Sequence, residues 1–233
     1  MIRVATPKGN HAYFEVRGDT NDGALVIGIL STDEYKLAEL PTFTGWGLDI
    51  GAHVGTVAIA MAMDNPELRM IAVEPVPDNC ALIRQSVIAN GLQERVFIEQ
   101  ASLGKPGQAT LPCRYAYTSH TIPDQGYVEQ NRFIGNLWRE EGEGTYLDSP
   151  VVTLDDLAER YEVTDFAFGK ADCEGCEWDG LKEGAERVAL WVAEWHDKPY
   201  EAVPALLGKT HDCEMLTDYG GSGIFRAVRK EVQ

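Results

Sequence analysis

Runs of apolar residues alternate with mixed segments along most of this chain, and the rhythm changes twice. In the first 40 residues, HAYFEV and ALVIGIL read as one or two strands, and STDEYKLAEL reads as a short helix. From 47 to 104 the order is strand, turn, helix, strand, helix, strand. GLDI is a buried strand, and VAIAMAM is a helix that stops at the turn formers Asn65-Pro66. MIAVEP is the second strand. PDNCALIRQSVIANG is a helix with Asp78 as its expected N-cap and Asn90-Gly91 as a left-handed stop, and RVFIEQA is the third strand. Residues 105 to 150 lose all periodicity. They are rich in Gly, Pro and aromatics, among them Tyr115, Tyr117, Tyr127, Phe133, Trp138 and Tyr146, and a small cap or lid beside a site is expected there.

The alternation resumes at Thr153. TLDDLAERY is a helix with a threonine cap and Asp156 three residues on, and DFAFGKAD is a strand. CEWDGLKEGAERV follows as a helix, LWVAEWH as a strand and PYEAVPALLGK as a helix. CEMLTDYG and SGIFRAVRK form a closing antiparallel hairpin. Strands alternating with helices of this length imply right-handed βαβ units and a mostly parallel sheet with helices on both faces. One domain over 1–233 is expected, with 1–46 as an N-terminal extension and 105–150 as the cap.

Charge and cysteine content narrow the setting. A net charge of −17 opposes phosphate backbones, so nucleic acid is not an expected partner. No stretch approaches the roughly 20 apolar residues of a membrane helix, and the first residues lack a secretory h-region. Five cysteines, at 80, 113, 173, 176 and 213, do not look like a disulfide framework. A cytoplasmic protein with reduced thiols is the expectation.

The candidate chemistry lies in the turn LDIGAHVG, residues 48 to 55. Ligands of open α/β sheets bind beyond the carboxyl ends of the strands, and four acids fall at such ends: Asp49, Glu74, Asp172 and Glu174. Glu74 follows Gly55 by about twenty residues, the distance at which an acid accepts ribose hydroxyls. The other acids discriminate between ligands. A dinucleotide would set a pyrophosphate on the first helix N-terminus, where Asp49 disfavours it. S-adenosylmethionine carries a sulfonium and an ammonium instead, and strand-end acids complement both.

Expected cofactor contacts are Asp49, Gly51, Ala52, His53 and Gly55 on the turn, Glu74 with Pro75, Gln100 and Ala101, and Asp172. Gly51 and Gly55 would let backbone approach the methionine moiety. His53 touches that moiety or faces solvent as a turn residue. Candidate bases for the acceptor are Asp172, Glu174, Glu177 and His196, of which Asp172, His196 and Glu174 lead. Glu194 shares a strand face with His196, so Asp172, Glu194 and His196 are also a candidate cation set, although no metal is expected. Cys173 and Cys176 have zinc-like and redox-like spacing but no second ligand pair, and read as spacers between acids.

Taken together, LDIGAHVG, IAVEPVPDN, the ANG helix end, VTLDDL, KADCEGCEWDGL and AEWH resemble the FkbM-type S-adenosylmethionine-dependent methyltransferases, over roughly 47–104 and 151–197. His53 departs from the asparagine common there, and Cys173 and Cys176 from small or aliphatic residues. The resemblance implies a seven-stranded Rossmann-like sheet with its last strand antiparallel. It also implies methylation of a small-molecule hydroxyl, on a sugar or secondary metabolite, with an amine as the alternative acceptor. Two other classes stay open on the residues alone: an NAD-dependent oxidoreductase and a non-catalytic adenosyl-ligand module.

Overall fold

The computed structural model describes residues 1–105, 109–112, 119–122, 133–134, 137–138, 149–173, 175–196 and 198–231. The chain opens with a hairpin, β1 (Ile2–Ala5) and β2 (His11–Phe14), then α1 (Asp22–Thr32), β3 (Gly45–Ile50), α2 (Thr56–Asp64), β4 (Leu68–Val73), α3 (Pro77–Ala89) and β5 (Val96–Glu99). Short strands follow: β6 (Ser102–Leu103), β7 (Ala109–Pro112), β8 (Ser119–Ile122), β9 (Phe133–Ile134), β10 (Leu137–Trp138) and β11 (Val151–Val152). The last part holds α4 (Leu154–Arg160), β12 (Phe168–Ala171), α5 (Glu177–Gly180), β13 (Leu190–Trp195), α6 (Ala202–Leu207), β14 (His211–Asp218) and β15 (Gly223–Arg229). Most of the expected cap, and Glu174 with it, lies outside the described residues. Within the cap, β7 pairs with β8 and β9 with β10, both antiparallel.

Seven strands form one sheet in the order β14-β15-β13-β12-β3-β4-β5. β12, β3, β4, β5 and β13 run parallel, while β15 is antiparallel to both its neighbours. Buried parallel strands need apolar residues on both faces. β4 supplies them by alternation, with Met70 and Ala72 in one core and Ile71 and Val73 in the other. α2 is apolar almost all round because Val57 through Ala62 are all buried in the first of these cores.

Three local expectations are corrected. ALVIGIL is not a strand but the body of α1. A short apolar run does not distinguish the two by itself, and here Asp22, Val26 and Leu30 are buried at the four-residue spacing of a helix face. STDEYKLAEL is not a separate helix. α1 ends at Thr32 on a left-handed Asp33, whose carboxylate then accepts from the N–H groups of Leu37 and Ala38 over a 3-10 turn. The helix expected from Cys176 to Val188 is reduced to the four residues of α5 and a 3-10 turn at Ala185–Arg187, divided by Gly184 at φ +83°.

The helix punctuation otherwise follows the residues except at Asp78. α3 begins with Pro77 at its first position, which puts Asp78 inside the first turn rather than at the cap. Asn90 is the C-cap and Gly91 has φ +67°. Thr153 and Asp156 form a full capping box on α4.

Candidate functional site

The carboxyl ends of β3, β4, β12 and β13 converge on one cavity of about 230 Å³. Asp49, Gly51, Ala52, His53, Glu74, Pro75, Ala101, Asp172 and His196 all line it, as do Leu25 and Ile29 of α1. Gly55 and Gln100 are not among its lining residues. Gly55 sits at the N-terminus of α2 with φ +84°, and a Cβ there would press on Ile83 of α3 at 3.1 Å. Its role in the fold is packing between helices.

Gly51 lines the cavity and is also required by the backbone. Its φ is +72°, and a Cβ would lie 1.8 Å from the carbonyl oxygen of Asp172. The glycine therefore lets the ends of β3 and β12 meet, where Asp172 N–H donates to Ile50 at 3.0 Å. Gly51 and Ala52 both donate to the Val73 carbonyl, which ties the turn to β4.

Glu74 is held almost wholly by donors. Oε2 accepts from His53 N–H at 2.8 Å, and Oε1 accepts from Val76 N–H at 2.9 Å and Asn79 Nδ2 at 3.1 Å. Burial pushes its carboxyl up to about 7, against these donors, which favour the charged form. Asn79 in turn accepts from Arg17 at 2.8 Å, and Arg17 forms a bidentate pair with Asp22. Arg17 holds Asp22 below the usual carboxylate range although burial opposes it. His53, at φ +52°, neither reaches out to solvent nor stands alone: Nε2 lies 3.4 Å from Asp22 Oδ1. Burial nevertheless lowers the proton affinity of its ring, outweighing Asp22.

Lys170 escaped the sequence reading, and it stands at the centre. Its ammonium is buried, donating to Gly51 O at 2.8 Å, and lies 3.4 Å from Asp49 and 3.7 Å from Asp172. Burial disfavours its charge, but the two carboxylates prevail and raise its pKa. Asp49 is correspondingly committed: Oδ2 accepts Ala58 N–H at 2.8 Å inside α2, and burial raises its pKa despite Lys170. A charged residue between Gly169 and Ala171 on a buried strand, in register with Asp49, was the available signal.

Asp172 and His196 do meet. Asp172 accepts the Tyr35 hydroxyl at 2.8 Å on Oδ2, and its Oδ1 lies 4.0 Å from His196 Nε2. Its burial would raise its pKa, but Lys170, His196 and Tyr35 lower it. Glu194 Oε1 is 3.5 Å from the same Nε2, as strand alternation requires. Glu177 takes the other side of the ring, 3.0 Å from Nδ1. Glu34 borders this group, its pKa raised by burial and by Asp172. Tyr35 and Glu34 had no sequence signal, because contact across 137 residues leaves no local pattern.

Asp172, Glu194 and His196 offer three donor atoms within 4.8 Å of one another, a spacing a divalent cation accepts. The reduced-thiol expectation is corrected at one place: Cys173 and Cys176 are joined as a disulfide. Gly175, at φ +105°, turns the backbone tightly enough to bring their Cα atoms within 5.4 Å. Cys80 and Cys213 are free.

A parallel sheet whose last strand is reversed, with its site beyond β3, β4 and β12, defines a class I S-adenosylmethionine-dependent methyltransferase. The chain belongs to the methyltransferase FkbM domain family, which it matches over residues 49–219. Solved structures share the fold at low identity. A methyltransferase from Geobacter sulfurreducens is 13% identical, with 93% of this chain and 91% of that one covered at a TM-score of 0.52. M. capricolum TrmK, in complex with its natural cofactor product S-adenosyl-homocysteine, is 9% identical, with 87% and 70% covered and a TM-score of 0.50. No curated protein matches by sequence. Among the described residues, no helix is long and apolar enough to cross a membrane.

Proposed function

We propose that the chain methylates a small-molecule hydroxyl, on a sugar or secondary metabolite, with His196 as the base. The observation that carries this is the pairing of His196 Nε2 with Asp172 and Glu194 in the cavity lining at the end of β13, three strands across the sheet from β4, which leads into Glu74.

The residues fit S-adenosylmethionine. Among the cavity-lining side chains, Asp49, Glu74, Asp172 and Glu194 carry acid groups against one lysine, whose ammonium is already taken by two carboxylates and two carbonyls. A cationic ligand suits that balance and a pyrophosphate does not. The ionised Glu74 keeps acceptor capacity beyond its three N–H partners for ribose hydroxyls. Pro75, Ala101 and Leu103 give an apolar wall for a base. When bound, S-adenosylmethionine supplies a methyl carbon on a sulfonium, and its transfer to oxygen leaves S-adenosylhomocysteine.

The chain's own residues then have two tasks. His196 Nε2 accepts the hydroxyl proton, and Asp172 and Glu194 stabilise the imidazolium that results. Asp172, fixed by Tyr35, would hold the cationic end of the cofactor. An amine acceptor would enter as an ammonium and be held in that form by the same carboxylates, which favours the hydroxyl.

A screen with methyl-labelled S-adenosylmethionine against matched hydroxyl and amine panels tests the reading. Label should pass to hydroxyl compounds, and His196→Ala should slow that transfer by about 10²-fold. Transfer confined to amines would sink it.

A further inference from the structure

We propose that Glu177 is a positioning residue that presents His196 to the acceptor as a single tautomer. The inference rests on the reading of His196 as the base, and concerns how that base is kept ready.

Glu177 has only 2% of its side chain exposed, so its carboxylate is not itself open to a substrate. Its Oε1 lies 3.0 Å from His196 Nδ1 and also accepts the main-chain N–H of His196 at 3.1 Å. Oε2 accepts Gly175 N–H at 2.9 Å, which anchors the carboxylate at its far end. The next residue on α5 grips the same histidine: Trp178 Nε1 donates to the His196 carbonyl at 2.8 Å. Two adjacent residues thus hold both main-chain polar groups of His196, and one of them also holds its ring.

The chemistry follows from donor and acceptor capacity. An ionised carboxylate only accepts, so Nδ1 must carry the hydrogen in the neutral ring. Nε2 is then left as the lone-pair nitrogen, on the side that faces Glu194 and Asp172. A base needs its lone pair toward the substrate, and the wrong tautomer disables it even when geometry is intact. Glu177 accepts at Nδ1 while the two acids on the other side favour a hydrogen on Nε2, so removing Glu177 shifts the balance toward Nε2–H.

The test uses the full chain with 15N-labelled histidine, His196 being assigned by the signal lost in His196→Gln. Ring nitrogen shifts of the neutral form should report Nδ1–H in the wild type and a move toward Nε2–H in Glu177→Ala. Glu177→Gln, which keeps an acceptor oxygen, should largely restore Nδ1–H. With an acceptor found by the labelled screen, Glu177→Ala should lower kcat by about 10²-fold with S-adenosylhomocysteine affinity unchanged, and should add nothing in the His196→Ala background. A wild-type ring found as Nε2–H would overturn the proposal without any variant, even if Glu177→Ala failed to fold. Equal losses of kcat with and without His196 would also overturn it. Full turnover in His196→Ala would refute the base assignment instead, while the ring shifts would still decide whether Glu177 sets the tautomer.

Discussion

At the Glu74 end of the cavity, main-chain N–H groups converge on one carboxylate from a turn two strands wide. At the His196 end, carboxylates, a phenol and an imidazole face one another from α1's exit, β12, α5 and β13. The first arrangement is set mostly by backbone path, with Asn79 adding a side-chain donor. The second exists only while five particular side chains are all present. One end is held largely by the main chain and the other by side chains drawn from four elements.

The sharpest way to break this contrast is at the turn itself. Gly51→Ala places a methyl group against the Asp172 carbonyl at a positive φ, and should cost about 3 kcal/mol or more of global stability. Chemical denaturation measures it. A variant as stable as wild type but unable to bind S-adenosylhomocysteine would assign the glycine to ligand contact alone.

Glu74→Ala should weaken product binding by about 2 to 4 kcal/mol in calorimetry, through lost hydrogen bonds to a charged acceptor. Wild-type affinity also acquires a pH dependence with a definite sign. The ionised carboxylate accepts ribose hydroxyls and the protonated one does so poorly, and burial sets the crossover at about 7. Affinity should therefore rise with pH up to that value and level above it, a slope that Glu74→Ala loses. An equal slope in the variant would assign it to another group.

At the opposite end, His196→Ala should lower turnover by about 10²-fold and leave product affinity nearly unchanged. Parallel losses in both would erase the distinction between the two ends. The smallest effect is expected for the double change Cys173→Ser and Cys176→Ser. The disulfide closes a loop of sequence separation 3, and so short a loop gives about 2 kcal/mol of stability or less. Thermal unfolding with and without reductant measures it.

The same contrast explains what could be read from residues alone. The glycine turn, the acid some twenty residues beyond it and the βαβ rhythm are local patterns, and they led to Glu74, Asp49 and the sheet. Asp172 and His196 were legible because each ends a strand, and strand ends share one edge of a parallel sheet. Tyr35, Asp22 and Arg17 were not, since the α1 segment itself read as a strand and its contacts lie across the fold. Lys170 was legible in principle, as a lone charge within a buried strand beside another carrying Asp49.

One consequence concerns where this protein can be cut. The family match runs from 49 to 219, but a chain trimmed to that span would start at the fifth residue of β3 and stop before β15. β14 pairs only with β15 in the sheet, so it would be left without a neighbour. The hydroxyl on Asp172 and the guanidinium behind Asn79 would go as well, because Tyr35 and Arg17 precede the match. The matched span is smaller than the unit these contacts tie together, and expression boundaries belong outside the flanking hairpins, not at the edges of the resemblance.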